Sequence, residues 1–597
     1  MAGLPSAASP KLWGTKYNDY LLIEHNADGT HGDITSSGPR LDVRSFGADS
    51  SGVASSQAAI QAALTAAVDG DTVYFPPGTY IVDAAFTDIV QNVSILGDDA
   101  TISASVRLTE PVFKWDARQD FTVSGINYDG EETYDSFSAP GQSLLTDIYG
   151  LIWLEACSSV TVSNIRGVEC RNLIFLNSSS DCTVKDIYHI GVLNIAKADS
   201  NFHPTVVVRG VEGNKIYRVH AENGGDCVLG LNGTRQLLVH GCSGTNLFDN
   251  GVYISSGEHC VVSGCRFWDI TGTDSGIKTR GSFMTVSGNT LDNVVNGIKM
   301  SSLDSAGVTS NNLIATGNSI DVYSSRGIAA VATATSDRPS NVVISNNSIL
   351  GGTTAGPLGD AIHAGPLENL TITGNVIQTN IADYAILVFG ASGTEAEKIV
   401  VSNNVISDAT GEGIRFSDAS RASAIGNVFE SITGSAIRLL NTTDSIFVGN
   451  SYPEDGETLI RDASTTTNTG NVYAFNLGEI TIDSAPALLN RVHSNYGTGV
   501  TSMTFAIDDA TPNVEGGSFF LTGDDDALDI TDFGNGVIGQ VITIASGDAG
   551  NTTVKHDIAK INLVAGADWV SNTGASLKLW YDGTDWNEIS RAAPTVA

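Results

Sequence analysis

VVISNNSI (residues 342–349), LTITGNVI (370–377), IVVSNNVI (399–406), ASAIGNVF (422–429) and SIFVGNSY (445–452) are variants of one short phrase. Each is an apolar-alternating strand that ends in Gly-Asn or Asn-Asn. Looser copies stand earlier, at VTVSNI (160–165) and MTVSGNTL (284–291). Taking the second turn residue as a marker gives Asn347, Asn375, Asn404, Asn427, Asn450 and Asn471, at intervals of 28, 29, 23, 23 and 21 residues. Those intervals lie in the range of solenoid coils.

A second strand follows most markers: GIKM (297–300), AIHA (361–364), AILV (385–388), GIRF (413–416) and AIRL (436–439). Strand alternation puts Val, Ile and Phe on one face with period 2, and that face must point into the coil. One coil cannot cover its own apolar face, so its neighbours above and below must do so. Asn at a fixed point of the repeat tolerates left-handed backbone angles and can hydrogen-bond along a ladder. A β-sandwich would show shorter, less regular spacing without this echo. The expected fold is all-β, a right-handed parallel β-helix.

Ahead of the repeats lies LDVRSFGADSSGVASSQAAIQAALTAAVDGDTVYFPPGTYIV (41–82). Ser55 or Ser56 can cap a helix whose residues Ala59, Ile60, Ala63, Leu64 and Ala67 form one apolar stripe, with Gly70 ending it. Thr72 to Phe75 reads as the first strand, stopped by Pro76-Pro77-Gly78. An amphipathic helix there would hide the open end of the solenoid. The segment resembles the opening of the pectate-lyase-3-like β-helices, in which a V-x-x-F-G-A strand, an A-I-Q-A-A helix and V-x-F-P-P-G-x-Y follow in order. Val43 to Ala48, Ala59 to Ala63 and Val73 to Tyr80 carry the match. The Asp-Asp expected before the helix is replaced by Ala54-Ser55-Ser56.

Two flanking segments resemble parts of phage particles. LWGTKYNDYLLIEHNADGTHGDI (12–34) is similar to the short N-terminal segment of phage tail fibres and tailspikes. The C-terminal stretch ending SLKLWYDGTDWNEISR (576–591) resembles a small domain that follows tailspike β-helices, where it implies trimer closure or glycan binding. The expected division is therefore an attachment arm over 1–40, a β-helix over 41–475 with its last clear coil near Tyr473, and a C-terminal β-sandwich-like domain over 476–597. Trp580, Tyr581 and Trp586 are candidates for sugar stacking or for strand-face core. Asp524, Asp525, Asp526, Asp529 and Asp532 could hold Ca²⁺. They lack EF-hand spacing, which favours a solvated turn.

The chain has 31 Lys and Arg against 66 Asp and Glu, a formal net charge of −35. A surface this acidic repels phosphate backbones and anionic membranes, so neither nucleic acid binding nor membrane insertion is expected. It also repels an acidic polysaccharide unless the site carries its own basic cluster. All seven Cys lie between Cys157 and Cys265 with no CxxC pair, which points to small apolar residues stacked in the coils rather than disulfides or zinc. Residues 1–40 lack a basic region followed by an apolar core, so synthesis in a cytoplasm without a cleaved signal is expected.

The most irregular polar stretch runs from His220 to Arg280. Three pieces of it, GGDCVLGLNG (224–233), CSGTNLFDNGVYISSG (242–257) and TDSGIKTRG (273–281), resemble motifs of the polygalacturonase-type glycoside hydrolases. That resemblance implies Asp226 as general acid or partner carboxylate and Lys278 with Arg280 as ligands of a substrate carboxylate, and it sets Asp249 near the family's His. Gly225 replaces the first Asp of the expected pair, Asp249-Asn250 stands at the His position, and the upstream N-T-D is missing. Hydrolysis needs carboxylates flanking the bond, and Asp226, Asp249 and Glu222 are the candidates. A lyase would need a base and charge neutralisation, for which His189, His220, Tyr253, Lys278 and Arg280 are available. The expected protein is a homotrimeric virion tailspike, joined to tail or baseplate proteins by its arm, that binds and depolymerises a host surface polysaccharide. A non-catalytic receptor-binding fibre and a non-viral polysaccharide-degrading enzyme are the alternatives.

Overall fold

The computed structural model describes residues 40–592 apart from 90, 107, 109, 131–149, 171, 192–203, 211, 302–309, 333–337, 352–358, 380–383, 392–393, 453–457, 464–469, 483–490, 494–502, 506–507, 515–518, 537, 549 and 558. The expected attachment arm lies outside the described residues. From Arg40–Asp42 to Arg491–His493, 41 strands join one continuous parallel ladder. It winds into a solenoid of about 17 coils.

Each coil passes through three sheets, in places as one strand that runs on from one sheet into the next. The first sheet contains Ser340–Ser345, Glu368–Thr373 and Ala396–Ser402, and the second contains Ser348–Leu350, Val376–Gln378 and Val405–Ser407. The third contains Ile362–Gly365 and Tyr384–Phe389. Inward residues stack in register from coil to coil: Ile349 on Ile377, Ile377 on Ile406, Ile406 on Phe429. All four are fully buried in one apolar core that runs from Val43 to Ile480. At roughly 1.5–3 kcal/mol per buried aliphatic or Phe side chain, this column alone favours stacking over any single isolated coil.

The Gly-Asn marker has a physical role. Its first residue turns the chain from the first sheet to the second in the left-handed region, as at Asn346, Gly374, Asn403 and Gly426, with φ between 54° and 66°. Its second residue is a buried Asn. Asn289, Asn318, Asn347, Asn375, Asn404, Asn427, Asn450 and Asn476 form one ladder in which each Oδ1 after the first accepts from the backbone N–H and the Nδ2 of the Asn one coil before, while Asn289 Oδ1 accepts from Cys265 N. Asn471, the last sequence marker, is a correction. Its Oδ1 accepts from Ser445 N at a different turn, before the first-sheet strand, and the ladder position belongs to Asn476.

The helix Gln57–Ala66 buries Ile60, Ala63 and Leu64 against the first coils, as its stripe predicts. Ser56 holds the N-cap position without capping; its Oγ instead donates to Asp49 O and accepts from Asp49 N. All seven Cys are buried, and none forms a disulfide among the described residues. No helix among the described residues is long and apolar enough to cross a membrane.

Beyond the solenoid, a six-stranded and a three-stranded sheet enclose a separate apolar core that includes Phe505, Phe520, Ile542, Leu577 and Trp586. Trp586 and Tyr581 pack together with ring centroids 4.9 Å apart, so Trp586 is core, whereas Trp580 is 40 % exposed. Of the acidic run, Asp524 is buried and accepts from Thr552 Oγ1, and Asp532 pairs with Lys560.

Candidate active site

The third sheet sets the site. Its register runs Val228, Val252, Ile277, Ile298. Two residues before each lie Asp226, Asn250, Ser275 and Asn296, which therefore share one turn position on successive coils. They form a second polar ladder. Asp226 Oδ1 accepts from Asn250 N at 2.9 Å and Nδ2 at 3.0 Å, and Asn250 Oδ1 accepts from Ser275 N at 3.2 Å. One residue earlier on their coils stand Asp249 and Asp274, on adjacent turns about 4.8 Å apart along the solenoid axis.

Asp226 therefore pairs with Asn250 on the next coil, one position on from Asp249. It is fully buried in the wall, with its second oxygen unpartnered among the described residues. Burial, and then the charge of Asp249, push its carboxyl well above the usual range. Asp249 is half-buried, and its carboxyl is pushed up to about 6, first by burial and then by the charge of Asp274, with Lys278 and Lys299 pulling it back. Asp274 is ion-paired with Lys278, four residues on, and lies 3.5 Å from the Nζ of Lys299. Lys278 Nζ sits 4.6 Å from the centre of the Tyr253 ring, and the Arg280 guanidinium lies 5.7 Å from the same ring. Asp249, Asp274, Lys278, Lys299, Tyr253 and Arg280 thus form one carboxylate–cation–aromatic cluster.

Glu222 and His220 stand apart on the second sheet. Glu222 accepts from His220 Nε2 at 2.9 Å and Tyr188 Oη at 2.9 Å, and these contacts, His220 first, hold its carboxyl below the usual range. The His220 ring stacks on Tyr188 and tilts against Trp268, a half-buried aromatic run that could offer a face to a sugar. His189, a lyase candidate by sequence, is corrected: it is fully buried, bonded to Thr205 Oγ1 and Cys170 O, and pushed down to about 4 by burial. Sequence reasoning missed Asp274 and Lys299. Aligning GIKTR (276–280) with GIKM (297–300) places the two Lys in register.

A parallel β-helix hosts many functions, so it is the paired carboxylates and cations on one outer sheet face that could act on a glycosidic bond. Comparison with known proteins gives matches in three segments. Residues 41–271 match the family model for rhamnogalacturonase A/epimerase, pectate lyase-like; residues 275–452 match the right-handed β-helix region; and residues 522–587 match the phage depolymerase C-terminal β-sandwich domain. No curated protein matches the chain. Among solved structures, a double mutant of the tailspike protein of E. coli bacteriophage HK620 is similar, at 16 % identity over 74 % of this chain and 80 % of that one, with a TM-score of 0.47. So is PfbA, a surface adhesin of Streptococcus pneumoniae, at 15 % identity over 67 % and 92 %, with a TM-score of 0.40. Endo-xylogalacturonan hydrolase from Aspergillus tubingensis is similar at 14 % identity over 62 % and 95 %, with a TM-score of 0.41. By these matches the chain carries a pectate-lyase-like segment, a right-handed β-helix region and a phage-depolymerase-type C-terminal β-sandwich.

Proposed function

We propose that this protein is a virion tailspike, assembled as a homotrimer, that binds a host surface polysaccharide and hydrolyses it at Asp249 and Asp274. The observation that carries the catalytic reading is the asymmetry of that pair. Asp249 is raised to about 6 by burial and by its neighbour, which suits a proton donor at near-neutral pH. Asp274 is held in place by Lys278 and Lys299, which suits the carboxylate partner.

In this mechanism Asp249 delivers its proton to the glycosidic oxygen as the C–O bond breaks. Asp274 attacks the anomeric carbon, and water then displaces it with Asp249 acting as base. Placement on adjacent coils, whose backbones lie about 4.8 Å apart, favours the close carboxyl pairing of retaining glycosidases (roughly 5–5.5 Å) over the roughly 6.5–9.5 Å of inverting ones. Tyr253 and the Tyr188–His220–Trp268 run offer faces for sugar rings. The phage-depolymerase-type C-terminal domain and the tailspike-like N-terminal segment support the virion role.

The test is incubation of the protein with purified capsular polysaccharide or lipopolysaccharide from candidate hosts. Chain shortening with retained anomeric configuration, abolished by Asp249→Asn and by Asp274→Asn, is the expected result. Binding without shortening would leave a receptor-binding fibre, and products absorbing in the ultraviolet would make the enzyme a lyase. Light scattering is expected to give about three times the 62.3 kDa chain mass; a monomer mass refutes the trimer.

A further inference from the structure

The outer column that holds Lys278 and Lys299 continues along the third sheet. In register, one coil per step, it reads Lys278, Lys299, Ala329, His363, Leu387, Arg415, Arg438, Arg461. Adjacent cations therefore occur in two runs, Lys278–Lys299 and Arg415–Arg438–Arg461, and within each run one pair shares a carboxylate. Asp274 contacts both Lys278 and Lys299. Glu412 lies 2.6 Å from Arg438 and 3.7 Å from Arg415. One carboxylate serves two cations in each case, on a chain that carries −35 overall.

The second pair is built to present its charge. The Arg415 guanidinium lies 4.9 Å from the Tyr384 ring centre and donates to the Tyr384 hydroxyl at 2.5 Å. The side chains of Arg415 and Arg438 remain 22 % and 32 % exposed, while Glu412 beneath them is 10 % exposed, and its oxygen facing Arg415 makes no hydrogen bond among the described residues. The three coil positions between the pairs carry Ala329, His363 and Leu387, and the His363 imidazole is held by Asp360 at 2.6 Å.

The distance between the pairs is set by the coil. From Lys278 to Arg415, and equally from Lys299 to Arg438, is five register steps, about 24 Å at about 4.8 Å per step. We propose that Arg415 and Arg438 form a second glycan subsite for an anionic substituent, so that one polysaccharide strand lies along the third sheet with acidic groups at both cation pairs. This rests on the polysaccharide reading above and deepens it: the ligand is an acidic glycan whose charged groups recur at a spacing that fits about 24 Å, which is how an acidic chain binds an acidic protein. The guanidinium fork suits a carboxylate or a phosphate equally, so the chemistry shared is an anionic oxygen group.

Alginate oligosaccharides of increasing length, with malto-oligosaccharides of matching lengths as the neutral control, test this on the full chain by calorimetry. The expected result is a steep gain in alginate affinity, at least tenfold, once the oligomer is long enough to bridge both pairs. That step should shrink with added salt and be lost in the Arg415→Gln/Arg438→Gln double variant, while the malto series shows none. Thermal unfolding of the variant is checked alongside, and single Arg415→Gln, which leaves the Arg438–Glu412 contact, should lose part of the step if the pair is unstable as a double. Inorganic phosphate displacing the oligomer more strongly than acetate would assign the substituent as phosphate; the reverse would assign carboxylate. A smooth length dependence, or an unchanged step in the variants, marks the pair as a structural ion cluster only and overturns the proposal. Because binding and not shortening is read, this outcome is independent of whether Asp249 and Asp274 catalyse anything.

Discussion

Replacing Asn404 by Ala removes one rung of the buried ladder, and the structure lets the loss be counted. Asn404 Oδ1 accepts from Asn375 N at 3.0 Å and from Asn375 Nδ2 at 2.9 Å. Its own Nδ2 donates to Ile372 O at 3.1 Å and to Asn427 Oδ1 at 2.9 Å. Ala leaves the two Asn375 donors without an acceptor, while Asn427 Oδ1 keeps the Asn404 backbone N–H. Asn375 and Asn404 are both fully buried, so solvent offers no substitute without a rearranged coil. At about 1–3 kcal/mol per orphaned buried donor, the variant should lose about 2–6 kcal/mol. Asn404→Asp is worse when ionised, because its second oxygen then faces Ile372 O and Asn427 Oδ1, both acceptors. Val405→Ser, one residue on and outward-facing at 43 % exposure, is the control and should stay within about 0.5 kcal/mol. The measurement is the urea midpoint with its slope, or the unfolding half-life if refolding fails, together with amide exchange at Asn375. A loss below about 1 kcal/mol for Asn404→Ala, or equal losses in the two variants, would show that the ladder is incidental to stability.

Further expectations concern the carboxylates and thiols. Asp226 has a carboxyl raised in the folded state above its unfolded value of roughly 3.9. Below that value both states are protonated; as pH rises through it the unfolded chain releases a proton the native chain retains, so stability falls. Asp226→Asn should therefore gain stability over wild type above about pH 4, with the gain vanishing below it, as read from urea midpoints across pH. If protonated Asp249 is the acid, kcat/KM should fall as pH rises through about 6. Lys299→Gln should move that fall to higher pH, because Lys299 holds the Asp249 carboxyl down; a fall that stays put would contradict the assignment. An aromatic disulfide reagent should titrate none of the seven buried thiols in the native protein and all seven after denaturation.

What the amino-acid sequence determined by itself is the solenoid and its core. Strand alternation with a Gly-Asn or Asn-Asn turn is a local pattern, and a local pattern repeated at coil length has few folds in which every copy is satisfied. The apolar stripe of Ile60, Ala63 and Leu64 was legible for the same reason, since a helix period is a short-range property. The site was legible only in part. Asp249 and Lys278 stand out as charges in a polar stretch, but their partners Asp274 and Lys299 lie a whole coil away in sequence. Coils here vary in length: 24 residues separate Asp226 from Asn250, 25 separate Asn250 from Ser275, and 21 separate Ser275 from Asn296. No fixed period brings the right side chains together, which is also why Asn471 passes for Asn476. Only the register of hydrogen-bonded strands decides that Asp226 goes into the wall, that Asp249 meets Asp274, and that Lys278 and Arg415 share a column 137 residues apart in sequence. Stacking is set by which residue sits over which, and that is a property of the folded coil.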